Sequence, residues 1–170
     1  MRNGLYSAGI AITGTGSATP SGRLSNEDLA QMVETSDEWI TTRTGIKQRC
    51  IAPPGESLAA MGTEASRRAL AMAQVDPETV DLVILATSTP DDLFGSAVSI
   101  QTAVGANRAV AFDLTAACSG FVFGLVTAAQ FIRTGAYQRV LLVGADLLSR
   151  WVDWRDRSTC ILFGDAAGAV

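Results

Sequence analysis

Asp81-Leu82-Val83-Ile84-Leu85-Ala86-Thr87 is an unbroken apolar run held between an acid and a hydroxyl residue. The absence of alternation predicts a strand covered on both faces, as in a parallel sheet, with helices above and below it. The flanking sequence supplies those helices. Upstream, residues 57–74 are Ala-rich and predict a helix, followed by the turn Val75-Asp76-Pro77. Downstream the pattern predicts a helix near 96–104, a strand over Ala109–Leu114, a helix over about Ser119–Thr134 and a strand over Arg139–Ala145. This repeated alternation predicts an α/β fold with a mostly parallel central sheet and helices on both faces.

Further out the signals are shorter. Residues 5–16 are apolar and punctuated by Gly9, Gly14 and Gly16, which reads as a buried strand ending in a tight turn. Ser25-Asn26-Glu27-Asp28 opens a helix with Leu29, Met32 and Val33 on one face. Ser36-Asp37-Glu38 caps a second helix that Gly45 closes. Ile46–Ile51 reads as a short strand before the loop Ala52-Pro53-Pro54-Gly55. Cys160–Val170 starts as another strand and stops inside apolar sequence, an end that reads as cut. With no linker, repeat or low-complexity tract, one domain is expected over residues 1–170.

Composition limits the function. Of 170 residues, 48% are hydrophobic and 18% charged, which suits a soluble globular protein able to bury a core. Seventeen acidic against thirteen basic residues give a net charge of −4, arguing against a nucleic-acid groove. Lys47 is the single lysine, so the remaining cations are arginines, whose planar fork suits phosphate and carboxylate. There is no histidine, which removes the commonest general base and metal ligand. Cys50, Cys118 and Cys160 fit neither a zinc pattern nor a disulfide framework, and point to a reducing, cytoplasmic setting. No metal site is expected. No signal peptide is read at the N-terminus, and no apolar run reaches the roughly 18 residues of a membrane span.

Cys118 is the candidate nucleophile. It follows the strand Val110–Leu114 and stands at the start of an apolar helix, where unpaired amides and the helix dipole favour thiolate and oxyanion. Ala116, Ala117 and Gly120 keep the approach open. The competing reading of the local sequence is a small buried hydrophobe. Cys50 and Cys160 lack the helix-start context and read as structural.

Four segments carry a family resemblance: Asp113-Leu114-Thr115-Ala116-Ala117-Cys118-Ser119-Gly120-Phe121, the earlier Thr35–Ile46 with Trp39 and Arg43, and the later Asp156–Thr159 and Phe163-Gly164-Asp165-Ala166-Ala167-Gly168-Ala169. Taken in chain order they resemble β-ketoacyl-acyl-carrier-protein synthase III, collinearly along the whole chain. The resemblance implies a thiolase-like fold, of which residues 1–170 would be the N-terminal half. It also implies an acyltransferase of type II fatty acid synthesis that takes a short acyl group from acyl-CoA onto Cys118. Condensation with malonyl-acyl-carrier protein, with decarboxylation, would then give a 3-oxoacyl product. The implied partners are acyl-CoA, malonyl-acyl-carrier protein and a second copy in a homodimer, with no cofactor, nucleic acid or membrane. The family's His and Asn fall in the other half, so condensation by these residues alone is not expected. The rival readings are a related CoA-dependent acyltransferase, a secondary-metabolite ketosynthase, a non-catalytic half-domain that binds CoA, and a cysteine hydrolase, the last disfavoured by the missing histidine.

The same resemblance implies CoA contacts at Thr35, Trp39, Arg43 and Arg157. Trp39 and Arg43, spaced i,i+4, share a helical face suited to a flat adenine ring. On the residues alone, a core aromatic and a solvated helix-end cation are the simpler readings. Phe94 matches a loop that in the family reaches the partner's acyl pocket. Arg150, Arg155 and Arg157 form a basic cluster, either a solvated edge or a surface for an acidic carrier protein. Ala166 and Ser158 stand where relatives have glycine, raising the question of a constrained turn and an altered CoA contact.

Overall fold

The computed structural model describes residues 9–170. They fall into two compact units, one of residues 9–18, 57–146 and 167–170, the other of residues 19–56 and 147–166. Each unit is assembled from stretches distant in sequence, so no linker marks the boundary.

The first unit carries most of a five-stranded sheet in the order β1 (Gly16–Ala18), β7 (Asp165–Ala169), β6 (Val140–Leu147), β4 (Leu82–Ala86), β5 (Val110–Leu114). Strand β4 pairs in parallel with both β5 and β6, in the register Ile84 opposite Phe112 and Leu142. Strand β7 is antiparallel to β1, and Leu142 and Val170 exchange both backbone hydrogen bonds at 2.9 Å, the antiparallel pattern, at the β6 edge. Four of the five strands therefore run the same way. As the sequence predicts, β4 is covered on both faces, with every one of its residues buried, and it lies between β6 and β5.

Helices cover both faces. Gly62 of α3 (Leu58–Ala73) packs on Ile100 of α4 (Ala97–Val104) and on Val143, while Gly124 of α5 (Gly120–Arg133) packs on Leu142. Leu142 and Val143 are neighbours on β6 and point to opposite sides, which places α3 and α4 on one face and α5 on the other. Each fully buried Leu, Ile or Val of this sheet stabilises it by roughly 1.5–3 kcal/mol. Helix α5 is apolar on more than its packed side: Val122, Phe123 and Val126 are exposed.

The expected strand over residues 5–16 is replaced by something shorter. Residues 5–8 lie outside the described residues, 9–15 form no strand, and β1 begins at Gly16. Gly14 and Gly16 serve contact with a helix: a Cβ on Gly16 would overlap the Ala65 carbonyl oxygen and stand 2.6 Å from the Ala69 nitrogen.

The second unit contains β2 (Gly22–Ser25), α1 (Asn26–Ala30), α2 (Asp37–Thr44), β3 (Gln48–Ile51) and α6 (Arg157–Cys160). Ser25 and Asp28 form a reciprocal capping box, Ser36 caps α2, and Gly45 ends it in the left-handed conformation. Strand β2, which no sequence signal announces, pairs antiparallel with β3. Cys160, expected at the start of a strand, instead closes α6, because Asp156 caps a turn there with its side chain on the Ser158 amide. Leu29, Ile40, Cys160 and Ile161 make the core of this unit, with Trp39 packed against it.

One hydrogen-bonded chain ties these pieces together. The buried Arg49 donates to the Ile161 carbonyl at 3.0 and 2.5 Å and to Asn26 Oδ1 at 2.6 Å. Asn26 Nδ2 in turn donates to Asp37 Oδ1 and to the Ile46 carbonyl, both at 2.8 Å. The Asn26 and Lys47 bonds hold the Asp37 carboxyl below the usual carboxylate range, and burial lowers the basicity of Arg49.

Two predictions follow from the sheet and its edges. Replacing Gly16→Ala forces backbone apart and should cost about 2 kcal/mol or more in a denaturant melt, while Gly9→Ala, with nothing within 4 Å of the new Cβ, should be close to neutral. Asp81 accepts the amides of Gln138 and Arg139 at 2.8 and 2.9 Å, the Arg139 bond leading in pulling its pKa below 3.8. A depressed carboxylate stabilises fully above its unfolded value and loses that contribution as pH falls through the folded value. Asp81→Asn should therefore melt earlier than the parent at neutral pH and lose less stability on acidification.

Candidate functional site

Two groups of candidate residues are described separately, because they belong to different units. In the first, β5 ends at Leu114 and a single 3₁₀ turn, Ala117–Ser119, leads into α5. Cys118 sits on that turn, and the free thiol residue is exposed. This separates it from Cys160, which is buried with its thiol pushed up chiefly by desolvation, and from Cys50, which is half-buried. Among the described residues Cys118 is not buried. Ala117, the residue before it, has φ 47°, in the left-handed region that costs a non-glycine residue about 1 kcal/mol. The Ser119 amide closes the turn on the Ala116 carbonyl at 3.1 Å.

The loop after β4 lies in the same unit, anchored by carboxylates. Asp146 at the end of β6 accepts the Ser88 amide at 2.8 Å and the Thr87 and Thr89 hydroxyls at 3.2 and 3.1 Å. Asp113 of β5 accepts the Ser96 and Ala97 amides at 2.9 and 2.7 Å, supplying the cap that Ser96 itself does not make for α4. Gly95, at φ 88°, lies against the Asp113 carboxylate, where a Cβ would come within 2.9 Å. From within the loop, Asp91 reaches out to the first amides of α3, at Leu58 and Ala59. Between these anchors Leu93 and Phe94 stand 98% and 95% exposed. Phe94, singled out from the sequence, is thus held out from its unit on a braced loop. Leu93, equally exposed, was not anticipated. Aspartates 91, 113 and 146 also went unread, since each is an ordinary acid in sequence and its partners lie far along the chain.

In the second unit the i,i+4 spacing of Trp39 and Arg43 brings them together. The Arg43 guanidinium lies 4.2 Å from the centroid of the Trp39 ring, with Nη1 donating to the Trp39 carbonyl at 3.2 Å. Arg157 joins them: its guanidinium is 4.6 Å from the same ring and donates to the Glu34 carbonyl at 3.2 Å. The expected slot for a flat ring between Trp39 and Arg43 is closed, because a stacked ring needs about 7 Å between its neighbours. A planar ligand enters by displacing a guanidinium or by using free indole surface. Thr35, beside Glu34, is half-buried, and its Oγ1 is buried without a hydrogen-bond partner. Such an orphaned hydroxyl costs about 1–3 kcal/mol unless a ligand or water satisfies it.

The basic cluster of three divides. Arg150 donates to the Glu56 carbonyl and lines an apolar cavity with Pro53, Pro54 and Trp154. Arg155 and Arg157 line another, of about 350 Å³, with Met32, Val33 and Glu34. The two departures from glycine are accommodated locally. Ala166 lies in strand β7 outside the left-handed region, so a side chain there is not constrained. Ser158 bonds Asp156 through both its amide and its hydroxyl, at 2.9 and 2.6 Å. Among the described residues no group of acids and cysteines could hold a metal ion, and no helix is long and apolar enough to cross a membrane.

The family model described as 3-Oxoacyl-[acyl-carrier-protein (ACP)] synthase III matches residues 112–170. Beta-ketoacyl-[acyl-carrier-protein] synthase III of Nostoc sp. is 69% identical over 98% of this chain and 50% of its own length. The Synechocystis sp. protein of the same name is 63% identical over 96% and 49%. The chain spans about half the length of the curated relatives it matches. Among solved structures, 3-oxoacyl-[acyl-carrier-protein] synthase III from Aquifex aeolicus superposes with a TM-score of 0.91 at 52% identity, covering 94% of this chain and 52% of that one. The priming beta-ketosynthase of the R1128 polyketide pathway gives 0.89 at 42% identity, over 93% and 48%. The α/β fold is the thiolase-like fold of these neighbours. Along the half of its relatives that it spans, the chain is similar in sequence and in fold to 3-oxoacyl-[acyl-carrier-protein] synthase III proteins.

Proposed function

We propose that this chain supplies the acyl-accepting, N-terminal thiolase-like half of a cytoplasmic, homodimeric condensing enzyme that starts type II fatty acid synthesis. The observation that carries the reading is the exposed Cys118 thiol on the turn between β5 and α5, flanked by Ala116, Ala117 and Gly120. The Cys118 sulfur attacks the thioester carbonyl of a short acyl-CoA. The bond from that carbonyl to the CoA sulfur breaks, CoA leaves as the thiol with the proton Cys118 gives up, and the acyl group stays as a Cys118 thioester. Malonyl-acyl-carrier protein then loses carbon dioxide. The resulting carbanion attacks the acyl carbonyl, Cys118 sulfur leaves, and 3-oxoacyl-acyl-carrier protein is released.

Trp39, Arg43 and Arg157 hold the CoA head group, with the Thr35 hydroxyl as a neutral partner. The indole offers a stacking face and the guanidiniums offer charge and forked donors. Phe94, held out by its braced loop, reaches the acyl pocket of the second copy. The sequence of steps exchanges one thioester for another and draws carbon–carbon bond formation from decarboxylation, with no net redox change. No cofactor is invoked, and acyl-CoA is a substrate.

Intact mass spectrometry after incubation with acetyl-CoA tests the assignment. One acetyl group is expected on the parent protein, retained in Cys50→Ala and Cys160→Ala and lost in Cys118→Ala. Acetylation that survives Cys118→Ala, or its absence from the parent, overturns Cys118 as the acyl acceptor.

A further inference from the structure

The two guanidiniums on Trp39 are already engaged. Arg43 and Arg157 each place a guanidinium over the indole and spend a nitrogen on a backbone carbonyl, Arg43 on Trp39 and Arg157 on Glu34. Arg155 differs. Its backbone amide is fixed by the Asp153 carboxylate at 2.9 Å, which sets where the residue starts. Among the described residues, its exposed guanidinium has no hydrogen-bond or ion-pair partner, and it lines the same cavity as Arg157.

The acids nearby leave that charge available. Asp156 is occupied by the Ser158 amide and hydroxyl and by the Thr159 hydroxyl, bonds that hold its carboxyl below the usual range. Asp153 faces the Arg155 amide. The cavity lining itself includes two guanidiniums against one carboxylate, that of Glu34. A forked cation with five donors and none used, beside a stacking surface, suits a phosphate on a nucleotide whose base rests on that surface.

We infer that Arg155 is an additional binding residue of this site, pairing with a phosphate group of the CoA nucleotide. The inference rests on the reading of Trp39, Arg43 and Arg157 as the CoA head-group site. The phosphate is either the ribose 3′-phosphate or the diphosphate, chemically alike to a guanidinium and separable by ligand.

Calorimetric titration of the parent protein, Arg155→Gln and Trp39→Ala with CoA, 3′-dephospho-CoA and adenosine distinguishes the cases. Arg155→Gln should weaken CoA about tenfold, the scale of one charge-assisted pair, and leave adenosine unchanged. If dephospho-CoA is unaffected by the substitution, the 3′-phosphate is the group held; if it weakens equally, the diphosphate is. Trp39→Ala should weaken all three ligands. Equal CoA affinity in the parent and Arg155→Gln overturns the role of Arg155 while leaving the head-group site intact. Absence of CoA binding by the parent overturns the site and, with it, this inference. Arg155 is exposed and its side chain makes no hydrogen bond or ion pair among the described residues, so the variant reads binding and not unfolding.

Discussion

Backbone amides given to aspartate side chains are the interaction on which the arrangement of loops depends. Asp81 holds the start of β6 beside β4, Asp113 holds the start of α4, and Asp146 holds the first residues after β4. In the second unit the buried Asp165 accepts the Ala52 and Ser149 amides and the Ser149 hydroxyl. Strand ends and helix starts leave donors that neither sheet nor helix can satisfy, and a buried orphan is costly. A carboxylate satisfies two or three such donors at once and brings together segments that pairing rules alone do not join. The apolar core sets where the elements lie, and these acids decide how the connections leave them.

The division of labour explains what was legible in the sequence. The run Leu82–Ala86 announces a doubly covered strand because burial on both faces leaves no other composition possible, and the helices around it are readable from capping serines and apolar spacing. The candidate nucleophile was legible for the same reason: a strand followed by small residues and an apolar helix can hardly arrange Cys118 elsewhere. The Trp39–Arg43 pair follows from helical spacing.

The remainder depended on tertiary context. Strand β2 is Gly22-Arg23-Leu24-Ser25, without hydrophobic alternation, and it exists because β3 pairs with it. Residues 9–15 are not a strand, and Gly14 among them lies against the backbone of helix α3. Arg157 reaches Trp39 from the far end of the sequence, and the free state of Arg155 emerges only when Asp153 and Asp156 are assigned their partners. Periodicity contains none of this, because these contacts join positions whose spacing carries no signal.

The left-handed Ala117 bears on how much freedom the thiol retains. Glycine would adopt that geometry without strain, but would also visit many others in the unfolded chain and around the native turn. An alanine there trades some local energy for a narrower set of conformers. The neighbouring Cys118 is consequently carried on a backbone with fewer conformers open to it, so its place at the head of α5 is held by the turn itself.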